Sequence, residues 1–241
     1  MKILIPMAGN GSRFKTAGYT KPKPFIDVVG KTMIERVVEN LGIEHEFIFL
    51  TRSDHFAGNE KDLASLMTKI GGNGKVLMVE SLTEGACCTA LLAKELINDK
   101  DELLIANADQ VIDYQKKNFD YVRKLTSVDG IILGFTATDP KWSFLKLDTE
   151  GYVSQVAEKK PISDIATCGV YWYRRGCDFV KYAEEMIGKN IRTNKEFYIA
   201  PVYNQMVKAG GKIIPFYVDF MHGLGTPEDL KEYVEYVKSG A

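Results

Sequence analysis

Residues 2–14 read KILIPMAGNGSRF, a short apolar run that stops at glycines and ends on a cation and an aromatic ring. An apolar run of this length bounded by a turn signal predicts a buried strand over 2–7. Outward from it, residues 32–41 (TMIERVVENL) place Met33, Ile34, Val37, Val38 and Leu41 on one helical face. Strand-like runs recur at 46–51 (EFIFLT), 75–80 (KVLMVE) and 102–107 (ELLIAN), with helical patterns at 60–70 and 85–97 between them. Strands alternating with helices imply right-handed βαβ units and a largely parallel sheet, so the front half is α/β.

The second half keeps the mixture and loosens it. Residues 130–136 and 166–173 read as strands, 212–218 as another, and 175–188 and 195–209 as helices. Residues 144–157 alternate around Thr149-Glu150-Gly151, the pattern of a hairpin. Near the end, Thr226 caps a helix with Pro227 in its first position and acids in the first turn. No internal repeat, low-complexity tract or Pro/Gly/Ser-rich linker interrupts the pattern. One domain over 1–241 is therefore expected, with 1–115 as a nucleotide-binding part and 116–241 as an acceptor-binding part.

The 241 residues carry 31 Lys plus Arg against 32 Asp plus Glu, and 45% hydrophobic residues exclude a disordered or fibrous chain. A formal charge of -1 argues against nucleic acid as a partner, because backbone binding needs a marked basic excess. The apolar run before Pro6 is too brief for a signal peptide or a membrane span. Cys87, Cys88, Cys168 and Cys177 form no Cys-x-x-Cys pair, and His45, His55 and His222 are scattered. Reduced thiols in a cytoplasmic protein are expected, rather than a zinc site.

The strongest local feature is the loop Pro6-Met7-Ala8-Gly9-Asn10-Gly11-Ser12-Arg13-Phe14. Its glycines let backbone N–H groups turn toward an anion and approach it closely. The third glycine of a dinucleotide fingerprint is missing, no helix pattern follows directly, and no Gly-Lys-Ser/Thr marks a Walker A loop. Instead Arg13 ends the loop and Lys21-Pro22-Lys23-Pro24 follows, where two prolines fix the aim of a lysine. On spacing alone, a surface loop with solvated cations remains the alternative.

The strand, Ala-Gly-x-Gly-Ser-Arg, and then Pro-Lys-Pro-Phe-Ile-Asp-Val-x-Gly-Lys-Thr-Met-Ile-Glu resemble the N-terminal signature of sugar-phosphate nucleotidylyltransferases. The resemblance continues at 80–93 (ESLTEGACCTALLA), 103–110 (LLIANADQ), 157–173 (AEKKPISDIATCGVYWY) and 223–230 (GLGTPEDL). It implies a Rossmann-like, mixed but mostly parallel central sheet with helices on both faces. It further implies that Ala8, Gly9, Gly11 and Ser12 wrap a nucleoside triphosphate while Arg13 binds the leaving pyrophosphate. Lys23 resembles the lysine that bridges the α-phosphate and the attacking phosphate. Gly85 and Ala86 match the backbone packed against the base, and Asn107 belongs to the same nucleotide side. Asp109 corresponds to the aspartate that holds magnesium. Glu158 and Lys159 resemble a pair that binds sugar hydroxyls and the sugar phosphate, and Gly169 is the small residue beside the sugar.

The family reaction is attack of a phosphomonoester on the α-phosphorus of an NTP, with Mg²⁺ as cofactor and pyrophosphate as product. The second pKa of a phosphomonoester is about 6, so the nucleophile is already ionised and needs no general base. Scarce histidine agrees with that chemistry. Two departures stand out. Relatives with Trp-x-Asp-x-Gly-Thr place a second metal-binding aspartate where this chain has Gly223; Asp219 and His222 are neighbouring candidates, with ordinary loop residues the alternative for both. Coordination by Asp109, substrate phosphates and water alone also stays open. Relatives using uracil or thymine often carry Gln where this chain has Glu80, and an ionised carboxylate only accepts hydrogen bonds. That favours GTP or CTP, with a side chain pointing to solvent at a strand end as the alternative for Glu80. Two other classes are weighed, a nucleotide-sugar-dependent glycosyltransferase and a non-catalytic sensor. Asn107-Ala108-Asp109 in place of Asp-x-Asp speaks against the first, and the retained Arg13, Lys23, Asp109 and Lys159 against the second. The acceptor is left open between a sugar 1-phosphate and a non-sugar phosphate, as is self-association. No appended acyltransferase activity is expected.

Overall fold

A computed structural model describes residues 1–124 and 128–240. The strands are β1 (Lys2–Pro6), β2 (Glu46–Arg52), β3 (Gly74–Val79), β4 (Leu103–Ala106), β5 (Gln110–Asp113), β6 (Gly130–Thr136), β7 (Ser143–Leu147), β8 (Val153–Glu158), β9 (Ile165–Tyr173), β10 (Ile213–Tyr217) and β11 (Phe220–Gly223). The main sheet runs β10-β6-β9-β4-β1-β2-β3, with β7 paired to β8 and β9, while β5 and β11 form a separate two-stranded ribbon. β1, β2, β3 and β4 are mutually parallel neighbours, and β10 is parallel to β6. β9 enters antiparallel between β4 and β6. The expected mixed sheet of parallel character is present.

Apolar alternation explains why the sheet is covered on both faces. Ile3 and Ile5 of β1, Phe47 and Phe49 of β2 and Trp172 of β9 enter one core, packed with Met33, Val37 and Leu41 of the helix Met33–Leu41. Leu4, Ile48, Tyr171 and Tyr173 enter the other, against Phe179 of the helix Gly176–Gly188 and Tyr203 of the helix Tyr203–Lys208. Each fully buried Phe of this kind contributes roughly 1.5–3 kcal/mol by leaving water. The helix Met33–Leu41 starts with a complete capping box between Thr32 and Glu35. Thr226 caps the helix Pro227–Lys238 by accepting from the Asp229 N–H.

Several elements differ from the sequence expectation. The loop after β1 does lead directly into a helix, the single turn Ser12–Thr16, because Gly11 adopts the left-handed conformation that starts it. The helix expected over 85–97 is two pieces, Ala86–Leu91 and Lys94–Ile97. Tight i→i+3 bonds from Leu92, Ala93 and Leu96 turn the chain between them. The helix expected over 195–209 begins only at a 3₁₀ turn, Ala200–Val202, since Asn194 and Lys195 have positive φ and Pro201 lacks a donor. Before that turn, Phe197 is tied by its backbone to Glu84 and Cys87. The β5–β11 ribbon and the helix Lys116–Lys124 had no expectation over them.

Candidate active site

The sheet order has a switch point. From β1 the chain winds to β2 and β3 on one side, and β4 lies on the other. Loops leaving the C-terminal ends of β1 and β4 therefore diverge and leave a crevice, where open α/β sheets bind ligands. The glycine loop leaves β1 at Pro6, and Asn107-Ala108-Asp109 leaves β4 at Ala106.

Here an open cavity of about 790 Å³ is lined by Gly9, Gly11, Ser12, Arg13, Lys23 and Ala86 on one side. Asn107 and Asp109 line it where β4 ends, and Glu158, Lys159 and Gly169 line it further round. Residues spread over more than half the chain thus converge. Three others sit at or beyond its margin. Ala8 is buried behind the loop. Gly85 has φ +131° and packs so tightly that a Cβ would meet the Phe197 carbonyl oxygen at 2.4 Å. Glu80 is exposed at the end of β3, accepting from the Ser53 hydroxyl at 2.8 Å.

Lys23 is aimed by its setting. It opens the 3₁₀ turn Lys23–Phe25 after Pro22, touches the position a Cβ on Gly11 would fill, and lies 5.6 Å above the Phe14 ring. Its ammonium donates to Asp109 Oδ2. An ammonium and a carboxylate held together in a polar crevice suit a ligand bearing both phosphate and a metal ion.

The opposite wall of the cavity is built from the β7–β8 hairpin. Glu158 ends β8 opposite Ser143, whose hydroxyl donates to its carboxylate. Burial pushes the Glu158 carboxyl above the usual carboxylate range, against the opposing effects of Ser143 and Lys159. Lys159 follows with φ 54°, an αL conformation uncommon for a side chain of this size, and its N–H donates to the Trp142 carbonyl. That turn sends the ammonium to Tyr198, which accepts at 2.8 Å. Gly169 has φ +72°, and a Cβ there would lie 1.8 Å from Gln110 Oε1 and 2.4 Å from Asn107 Nδ2. No side chain fits.

Asp219 and His222 are placed elsewhere. Asp219 donates its N–H to the Asp113 carbonyl, and His222 Nε2 is 3.1 Å from Asp113 Oδ2 among Phe220, Tyr233 and Tyr236. Neither lines the cavity. Of the aromatics at 171–173, Trp172 and Tyr173 are core residues, while Tyr171 and Tyr198 line the cavity. Sequence reasoning also missed Lys141, Trp142 and Asp229 in the lining. A first-turn helix acid such as Asp229 carries no sequence signal beyond capping.

A chain with this crevice has many structural counterparts. It is similar to the nucleoside-diphosphate-sugar pyrophosphorylase from Vibrio cholerae RC9, at 25% identity and TM-score 0.82 over 97% of this chain and 99% of that one. A UDP-glucose pyrophosphorylase solved with UDP-glucose shares the fold, at 20% identity and TM-score 0.79. In sequence the chain is 23% identical over 240 residues to the bifunctional sugar-1-phosphate nucleotidylyltransferase/acetyltransferase of Sulfurisphaera tokodaii, covering 95% of this chain and 54% of that protein. The chain spans about half the length of the first curated relatives it matches. The nucleotidyl transferase family model matches residues 2–232, from the first residue of β1 into the last helix, and with the switch-point crevice it establishes that the chain belongs to the nucleotidyl transferase family.

Proposed function

We propose that this chain joins an NTP to a sugar 1-phosphate or a similar phosphomonoester, releasing pyrophosphate. The observation that carries the reading is one cavity with the Lys23–Asp109 pair and Arg13 at one end and Glu158 with Lys159 at the other. The reaction needs two polyanions brought together and held in line, which is a task of positioning and electrostatics. The acceptor phosphate is ionised at neutral pH, so no side chain has to remove a proton.

Each residue then has a task. The backbone of Ala8, Gly9, Gly11 and Ser12 wraps the triphosphate, and exposed Arg13 holds the departing pyrophosphate. Lys23 sits between the α-phosphate and the incoming phosphate, neutralising charge as the new P–O bond forms and the bond to pyrophosphate breaks. Lys159 holds the acceptor phosphate, Glu158 accepts from acceptor hydroxyls, and Gly169 lets Asn107 and Gln110 pack close beside the acceptor. Gly85 and Ala86 present backbone to the base. Asp109 supplies a hard oxygen donor facing the cavity, which fits Mg²⁺, an ion that takes one or two carboxylates together with water and phosphate oxygens. When bound, Mg²⁺ supplies positive charge against the triphosphate. The exposed Glu80 carboxylate, an acceptor only, supports GTP or CTP over UTP and dTTP.

Pyrophosphate release is the test. The protein is incubated with Mg²⁺, each of GTP, CTP, UTP and dTTP, and a panel of sugar 1-phosphates and other phosphomonoesters. Pyrophosphate formed only with a phosphomonoester present supports the reading. Transfer of sugar from a nucleotide sugar, without pyrophosphate formation from any pair, would replace it with a glycosyltransferase.

A further inference from the structure

Gly223 stands where the resembling family carries a second metal-binding aspartate, and the Asp229 carboxylate lies beside that position. A Cβ on Gly223 would lie 3.4 Å from Asp229 Cγ and 3.6 Å from its Oδ2, so the Asp229 carboxylate stands beside the volume that a side chain at 223 would enter. A Cβ on Gly225 would lie 3.5 Å from Asp109 Oδ2 and 3.8 Å from Asp229 Oδ2. Carboxylate oxygens from two distant segments therefore come within 4 Å of one point.

The placement is held by rigid elements. β11 pairs with β5 so that Gly223 faces Gln110, and the Leu224 N–H donates to the Asp109 carbonyl at 2.8 Å. The chain then passes Gly225 to Thr226, which caps the helix Pro227–Lys238 through the Asp229 N–H. That fixes Asp229 in the first helical turn while its side chain lines the cavity. Two like charges this close raise each other's energy, and each has a cation beside it. Lys23 is on Asp109, and Lys141 is 3.7 Å from Asp229.

Resting on the nucleotidylyltransferase reading, we infer that Asp229 is the second protein carboxylate for the divalent cation, taking over from the helix the role that Gly223 vacates in the strand. Among the described residues no three His, Cys, Asp or Glu side chains gather to hold an ion. A pair is enough for magnesium, which completes its octahedron with water and phosphate oxygens. Lys23 and Lys141 are then free to turn to substrate phosphate.

The test reads cation binding directly. Mn²⁺ is titrated into the protein with a non-hydrolysable NTP analogue and followed by electron paramagnetic resonance. Asp229→Ala is expected to weaken Mn²⁺ binding at least about tenfold, with an unchanged circular dichroism spectrum. Adding Gly223→Asp in the Asp229→Ala background should recover binding, because the absent Asp229 carboxylate makes room for it. Binding lost in Asp109→Asn but unaltered in Asp229→Ala overturns this inference alone. Absence of Mn²⁺ binding and of pyrophosphate release in the unaltered protein overturns the functional reading beneath it.

Discussion

The two sides of the cavity are built by different means. On the side of β1 and β4, parallel strands end at a switch point and present glycine backbone and short turns, with the Arg13, Lys23 and Asp109 side chains set on them. On the opposite side, the antiparallel β7–β8 hairpin and β9 present side chains, namely Glu158, Lys159, Trp142 and Tyr171. Backbone N–H groups recognise any triphosphate in the same way, whereas side chains on a hairpin can be exchanged without disturbing the sheet. Under the proposed function, the difference puts the chemistry common to the reaction on the parallel side and the choice of acceptor on the antiparallel side.

Asp109→Asn should break the contrast most severely. Turnover is expected to fall about two to three orders of magnitude with every acceptor, while thermal unfolding stays close to that of the unaltered protein. Steady-state kinetics with two different acceptors check this, and turnover near the original level would remove Asp109 from the metal site. Lys159→Met should act on one side only. The acceptor KM is expected to rise about tenfold to a hundredfold, with the KM for NTP unchanged; equal rises in both would dissolve the division between the sides.

Glu80→Gln probes the nucleotide side. It should shift the ranking of the four nucleotides toward UTP and dTTP by about tenfold, and an unaltered ranking in competition assays would put Glu80 outside base recognition.

Glu158→Gln gives the smallest expected effect, on stability. The folded state holds the Glu158 proton more tightly than the unfolded chain does, because burial raises its pKa. Its favourable contribution is thus fully present below the unfolded pKa and is lost as pH rises through the folded value. The substitution should therefore raise the melting temperature by about 2–4 °C at pH 8 and by less at pH 4. A pH-independent difference in calorimetry would show that the carboxyl does not titrate abnormally.

The same contrast governs what was legible in the sequence. β1 to β4 are short apolar runs alternating with amphipathic helices, and local periodicity is enough to place them. The glycine loop and Asp109 stand out because they follow strand ends, whereas Lys23 rests on its flanking prolines and on the resemblance to the family signature. The β5–β11 ribbon was not legible, since each strand has only four residues and its partner lies more than a hundred positions away. Asp229 was hidden for the same reason. Its first-turn position looks like helix capping, and only the pairing of Gly223 with Gln110 brings it to Asp109. The segment before Ala200 misled because helix-like apolar spacing there was overridden by Asn194 and Lys195 in the left-handed region. Tertiary hydrogen bonds from Phe197 now hold it extended along Glu84–Cys87.

That extended segment joins the two sides by a covalent step. Phe197 is hydrogen-bonded through its backbone to Glu84 and Cys87, and the very next residue, Tyr198, carries the hydroxyl that receives Lys159. Successive Cα atoms are about 3.8 Å apart, so a backbone shift at Phe197 passes directly to the residue whose hydroxyl meets Lys159. Adjacent residues thus tie the turn at Glu84–Cys87 to the Lys159 end of the cavity through the chain itself.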